Sequence, residues 1–433
     1  MTTRMAFKSI LLVCALFVVS VTSSNHKLVA YWGQNGIYHQ IKELPYYERD
    51  LNYMCKHTQY DVIALAFLHI FFDVRNKDDM PALNFAYHCK RPVSREYPTL
   101  LRCPLIERAI KKCQKNGKKV VLSLGGEIGT YGFYFVEDAK LFAYRLWNLF
   151  LSGDKLTDLR PFGTAVIDGL DINAISDDHF GYSDLIREIR KLEQAENVGK
   201  TFTLSASTQC EFPDRILGPD VGYVLGDMAE SFDSIFVQFR SVWCKAEDED
   251  FVLNHLKEWL KYSEAQQGGM IFLGVPAGVG AAGDVGCYRS PEQLRLIYEK
   301  LRNEPRFGGI MLWDVGFDRA NRENGKKYSD HLHDMLSKED QQTHTNSSRS
   351  SDLIECSDRM KNCAKQRHLC DRSDFYGDFM KIACKRTCRH CRTLDADIKC
   401  RDYTSSCDGW QKKGYCERMP FMHVACRRSC RKC

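Results

Sequence analysis

Between Lys27 and about Gly316 the chain repeats one pattern: a short apolar run, a turn, then a longer stretch with helical spacing of its apolar residues. The runs are Lys27–Trp32, Val62–Phe71, Lys118–Gly126, Ala165–Asn173, Thr201–Ser207, Ser234–Arg240, Gly268–Ala277 and Gly308–Val315. Most are apolar throughout rather than alternating, as strands of a parallel sheet buried on both faces are. Helical patterns between them include Asp138–Leu151, Tyr182–Gln194, Phe251–Ser263 and Pro291–Arg302. Eight β-then-α units in about 290 residues predict an α/β protein whose residues 25–337 form a closed (β/α)8 TIM barrel. No Gly-x-Gly-x-x-Gly loop opens a helix after the first strand, so a dinucleotide-binding sheet has no support. In such barrels chemistry sits at the C-terminal ends of the strands.

Past the barrel the pattern changes twice. Residues 338–355 are polar and lack periodicity, as a linker does. Then come two copies of a six-cysteine unit. The first, over 356–391, holds Cys356, Cys363, Cys370, Cys384, Cys388 and Cys391. The second, over 400–433, holds Cys400, Cys407, Cys416, Cys426, Cys430 and Cys433. Units this small cannot build an adequate core, and disulfides are the natural staple. The repeated Cys-x2-Cys also suits zinc, but the six-cysteine frame favours disulfides, and no metal or cofactor is expected.

Compartment follows from the first residues. Arg4 and Lys8 precede the apolar run Ile10–Val21, with Ser20, Thr22, Ser23 and Ser24 close to a cleavage point. Residues 1–24 therefore read as a secretory signal, too short to span a bilayer, and the protein is expected outside the cell. No other run is long enough for an integral membrane segment. Removal of the signal takes Cys14 and leaves 19 of the 20 cysteines, an odd number, so at least one is unpaired or bridges to another chain. The Asn346-Ser347-Ser348 sequon lies in the linker. The net charge of +5 hides an asymmetry: residues 356–433 carry 19 Lys and Arg against 9 Asp and Glu, a surplus of +10. That is modest for a nucleic-acid reader and suits an acidic extracellular matrix or protein partner.

The strand ends read Tyr31-Trp32-Gly33-Gln34-Asn35-Gly36, Leu122-Ser123-Leu124-Gly125-Gly126 and Asp168-Gly169-Leu170-Asp171-Ile172-Asn173-Ala174-Ile175. Later come Gln209-Cys210-Glu211-Phe212-Pro213-Asp214-Arg215, Ile271-Phe272-Leu273-Gly274-Val275-Pro276-Ala277 and Gly308-Gly309-Ile310-Met311-Leu312-Trp313. This ordered set resembles the class III, hevamine-like chitinases of glycoside hydrolase family 18, over essentially all of residues 25–335. The two cysteine units resemble ShK-toxin-like modules. The resemblance implies the disulfides Cys55–Cys113, Cys89–Cys103 and Cys210–Cys244. Cys287 has no counterpart and is the candidate for the odd thiol.

The departures from the family pattern bear directly on function. The resemblance implies a fourth strand ending Asp-x-x-Asp-x-Asp-x-Glu, whose Glu protonates the glycosidic oxygen. The preceding Asp orients the substrate's N-acetyl group, which itself attacks the anomeric carbon, an exception to the two-carboxylate scheme. Alternate strand residues share a side, so these acids line up inside the barrel mouth. Here Asp168 and Asp171 remain, Asn173 replaces the orienting acid and Ile175 replaces the proton donor. The family's Gln-Phe-Tyr at the sixth strand reads Gln238-Phe239-Arg240. General acid catalysis alone contributes about 10²–10⁴-fold, and an isoleucine cannot donate a proton. Asp177, Asp178 and Glu127 are the nearby carboxylates that could substitute; a further expectation is that Glu127 meets Arg240 across the old cleft.

Three functions follow. The first is a secreted, catalytically inactive chitinase-like protein that binds chitin or other N-acetylglucosamine oligomers as a lectin, using Tyr31, Gln34, Gln209, Gln238 and Trp313. Binding is expected to centre on Trp313, with Ile175 and Arg240 pushing the occupied subsites to one side. The second is a protein-interaction scaffold acting through the barrel surface and basic tail. The third is a weakly active chitinase.

Overall fold

The computed structural model describes residues 26–37, 47–175, 178–196, 199–241, 243–246, 248–282, 287–323 and 325–337. In the tail it describes 363–370, 386–388, 411–412 and 428–429. The signal segment 1–24, the linker, Asp177 and most of both cysteine units lie outside the described residues.

Eight parallel strands close into a barrel. They are β1 (Lys27–Trp32), β2 (Val62–Ile70), β3 (Lys119–Gly125), β4 (Gly169–Asn173), β5 (Thr203–Gln209), β6 (Ser234–Gln238), β7 (Met270–Pro276) and β8 (Phe307–Trp313). Each pairs in parallel with the next, and β1 pairs with both β8 and β2, which completes the ring. The helices α1 (Leu51–His57), α2 (Pro104–Lys115), α3 (Val136–Phe150), α4 (Tyr182–Ala195), α5 (Val224–Asp227), α6 (Glu249–Ala265), α7 (Pro291–Leu301), α8 (Val315–Ala320) and α9 (Tyr328–Ser337) surround it. Side-chain caps fix several starts. The Asp50 carboxylate accepts from the Tyr53 amide at α1, and Asp248 accepts from Phe251 at α6. Ser290 and Gln293 cap each other's amides at α7, with Pro291 at the first helical position.

Strand residues alternate between two cores, as period 2 requires. One set faces the helices and joins the main apolar core, with Leu28, Ala30, Ile63, Leu122 and Leu170 among it. The other set fills the barrel interior: Val29, Tyr31, Ala64, Ala66, Val121, Phe236, Phe272 and Met311. Burial on both faces is why these runs are continuously apolar in sequence. An antiparallel hairpin of Pro92–Ser94 with Tyr97–Leu101 is inserted between β2 and α2, where no sequence run announces it.

The three barrel disulfides form as the resemblance implied: Cys55–Cys113, Cys89–Cys103 and Cys210–Cys244. In the first cysteine unit Cys370 bridges Cys388. The buried Cys287 keeps a thiol, which donates to the Ser241 carbonyl at 3.2 Å. Among the described residues no helix is long and apolar enough to cross a membrane.

Candidate functional site

The site is built from the upper ends of β1, β3, β4, β5, β6 and β8. At its base lies Asp171, fully enclosed in the barrel. Ser123 donates to its Oδ2 at 2.6 Å and the Tyr31 hydroxyl donates to the same oxygen at 2.6 Å. Ser205 and Ser207 donate to Oδ1 at 2.9 and 3.1 Å. Burial pushes the carboxyl above its ordinary range, and the four hydroxyls pull the other way. This carboxylate is saturated by four donors on three other strands, β1, β3 and β5, so it ties the barrel interior together.

Asp168 sits at the opposite end of β4. Its carboxylate accepts from the Val120 amide at 2.9 Å and from Gln114, and pairs with Lys200 at 2.9 Å. It is a clasp at the barrel bottom, away from the mouth.

One step above Asp171, Asn173 is buried and its amide donates to the Tyr31 hydroxyl at 3.3 Å. Its Oδ1 finds no hydrogen-bond partner, and neither does the Gln238 Nε2. Two residues further, just beyond the end of β4, Ile175 is half-buried and faces a cavity, and its amide donates to the Tyr131 hydroxyl at 3.4 Å. No proton donor occupies this position.

Arg240 follows β6. Its Nε donates to Gln238 Oε1 at 2.7 Å, and its guanidinium lies over the Trp313 ring, 5.0 Å from the centroid. Phe67 stacks with the same indole at 5.8 Å, and Tyr31 leans on it at 5.4 Å. Trp313 is therefore packed between a cation and two rings. Arg240, expected to crowd the central subsite, lies over this indole. The expected meeting of Arg240 with Glu127 is absent: Glu127 is exposed after β3, and no ion pair joins the two. Asp178, the other described carboxylate considered as a substitute acid, pairs with His179 at 2.8 Å.

Two expected sugar contacts are corrected. Tyr31 and Gln238 are each 1% exposed, because both point into the closed barrel and are held there by Asp171 and Arg240. Gln34 is half-buried and donates to the carbonyls of Ala66 and Asn84 at 2.7 and 2.9 Å. Gln209 alone of the five lines the cavity beside Ile175.

A family model for glycosyl hydrolases family 18 matches residues 27–285. The chain belongs to this family. A model for ShK-like domains matches residues 355–391 and 399–433. Chitinase 3 of Candida albicans is 32% identical over 320 residues, 73% of this chain and 52% of that protein. The acidic endochitinase SE2 of Beta vulgaris is 33% identical over 72% of this chain and 94% of its own length. The chain thus spans about half of the fungal relative and nearly all of the plant one. Among solved structures, a xylanase and alpha-amylase inhibitor protein from Scadoxus multiflorus is similar with TM-score 0.56 and 28% identity, over 71% of this chain and 98% of that one.

Two features of this family 18 barrel escaped the sequence reading. Glu48 is buried after β1, accepts from the Gly33 amide at 2.8 Å and meets His88 at 2.9 Å. Asp314 follows Trp313 and caps α8 by accepting from the Gly316 and Phe317 amides at 2.9 and 3.1 Å. Burial and then the Glu48 charge push the Asp314 carboxyl up to about 7. The Asp-x-Gly spacing was a legible capping signal; the approach of Glu48 across the loop was not.

Proposed function

We propose that this protein is a secreted, catalytically silent member of glycoside hydrolase family 18 that binds N-acetylglucosamine oligomers. The observation that carries the reading is Ile175. It stands where the family's acid would act, and the two carboxylates that share its cavity, Glu211 and Asp214, belong to the loop after β5 rather than to β4, with Asp214 held by the Gln209, Ile216 and Leu217 amides. Asn173 and Arg240 compound the loss, since neither can play the part the resemblance assigns to its position: Asn173 lacks the charge that would stabilise a developing oxazolinium, and Arg240 is committed to Gln238 and Trp313.

Sugar binding outlives that loss. Gln209 lines an open cavity beside Ile175, so an amide at the mouth can still meet a sugar hydroxyl. Chitin beads should retain the full-length protein while releasing no soluble oligomers over a day. Release of oligomers, or recovery of all the protein in the unbound fraction, sinks the reading.

A second reading is favoured by one observation. Ile128, Tyr134, Phe135, Phe180 and Val221 are exposed on the successive loops after β3, β4 and β5. A rim of this kind suits a protein partner, with the basic tail adding attraction to an acidic one.

A further inference from the structure

We propose that the sugar site lies beside the old catalytic centre, in a cavity between the loops after β4, β5 and β6, with Trp243 as its stacking platform. This rests on the sugar-binding reading above and names the place and ligand class. The cavity measures about 310 Å³ and is open to solvent. That size falls in the range of about 300–1,000 Å³ typical of small-ligand sites.

Its lining joins two chemistries. Ala174 and Ile175 form an apolar wall. Gln209, Glu211 and Arg215 supply an amide, a carboxylate and a guanidinium from the end of β5 and the loop beyond it. Trp243 stands at the edge, 72% exposed. A pyranose has an apolar face of C–H groups and a rim of hydroxyls. The indole takes the first through dispersion and burial, and the polar side chains take the second. The apolar wall suits the methyl of an N-acetyl group, so the ligand is an N-acetylated hexosamine oligomer rather than a plain glucan. A carboxylate at 175 would present charge to that methyl; isoleucine presents a hydrocarbon surface.

Trp313 cannot serve in the same way. The Arg240 guanidinium lies over its ring, and Phe67 and Tyr31 pack against it. A sugar would have to displace the cation and its bond to Gln238. Trp243, in contrast, is 72% exposed and its backbone is anchored. It immediately precedes Cys244, whose disulfide to Cys210 ties it to the loop that carries Glu211. Fixing a platform in place before binding reduces the ordering cost of association.

The test is calorimetric titration of the full-length protein with a hexamer of N-acetylglucosamine. Trp243→Ala should weaken binding at least tenfold, Trp243→Tyr should stay within about threefold of wild type, and Trp313→Ala should change affinity less than twofold. Ile175→Arg, which fills the cavity from its wall, is the second variant and should also weaken binding at least tenfold. A glucose hexamer, lacking acetamides, should bind at least tenfold more weakly than the acetylated one. If wild type binds but Trp243→Ala binds equally and Trp313→Ala does not, the location is wrong while the sugar-binding reading stands. If the glucose hexamer binds equally, the ligand class is wrong. If wild type gives no heat with the acetylated hexamer at millimolar concentration, both fall.

Discussion

Ile175→Glu on its own is expected to restore no cleavage of N-acetylglucosamine oligomers. The new acid would face a site whose Asn173 cannot hold a charged N-acetyl intermediate and whose Trp313 is covered by Arg240. The triple change Ile175→Glu, Asn173→Asp, Arg240→Tyr should give detectable tetramer cleavage in a reducing-end assay; turnover by the single variant would contradict the account. Asp171 has a different role. Asp171→Ala leaves the hydroxyls of Tyr31, Ser123, Ser205 and Ser207 without their acceptor and should cost about 3 kcal/mol or more in a denaturant melt. An unchanged midpoint would show that the barrel interior does not depend on it. At this scale the sequence was legible where chemistry is local. A strand with period 2 places Asp171 and Asn173 on one side, and that position 175 holds an isoleucine needs only the alphabet. The inward turn of Tyr31 and the Arg240–Trp313 stack were not legible, because each joins residues far apart in the chain that meet only when the ring closes.

Asp314 acts at the junction of β8 and α8. Its carboxyl titrates near 7 in the fold, against an ordinary value near 4 when unfolded. The folded state therefore holds the extra proton between about pH 4 and 7. This contribution to stability is complete below about pH 4 and is lost as pH rises through 7. Asp314→Asn keeps the oxygen that caps Gly316 and Phe317 but removes the charge. Its stability-versus-pH curve should be flatter over that window; a slope equal to wild type would contradict the assignment. The disulfide between Cys55 in α1 and Cys113 in α2 closes a separation of 58 residues. In the chain-entropy picture its removal by Cys55→Ser with Cys113→Ser costs about 4 kcal/mol, read as a lower thermal midpoint without loss of the barrel's circular dichroism. Most of the eight strands were visible as apolar runs because they are buried on both faces; β4 and β5 alternate instead, with Asp171, Asn173, Ser205 and Ser207 turned into the barrel. The inserted hairpin was not, since Pro92–Ser94 and Tyr97–Leu101 lack such a run and one of them opens on proline.

The whole molecule joins a family 18 barrel to two basic ShK-like units, and the charge surplus of +10 over residues 356–433 belongs to the second part. Attraction between exposed charges is screened over roughly 8 Å at physiological salt. The full-length protein should bind an immobilised polyanion such as heparin at low salt and elute as salt rises; passage straight through at 50 mM salt would remove the tail as an electrostatic anchor. For the barrel, the proposal under test is that it holds a sugar chain without cutting it. The most direct measurement is native mass spectrometry of the protein incubated for a day with a hexamer of N-acetylglucosamine. The expected spectrum shows the complex carrying an intact hexamer and no shorter products in solution. Dimers or trimers in that spectrum, or bare protein alone, would contradict the account.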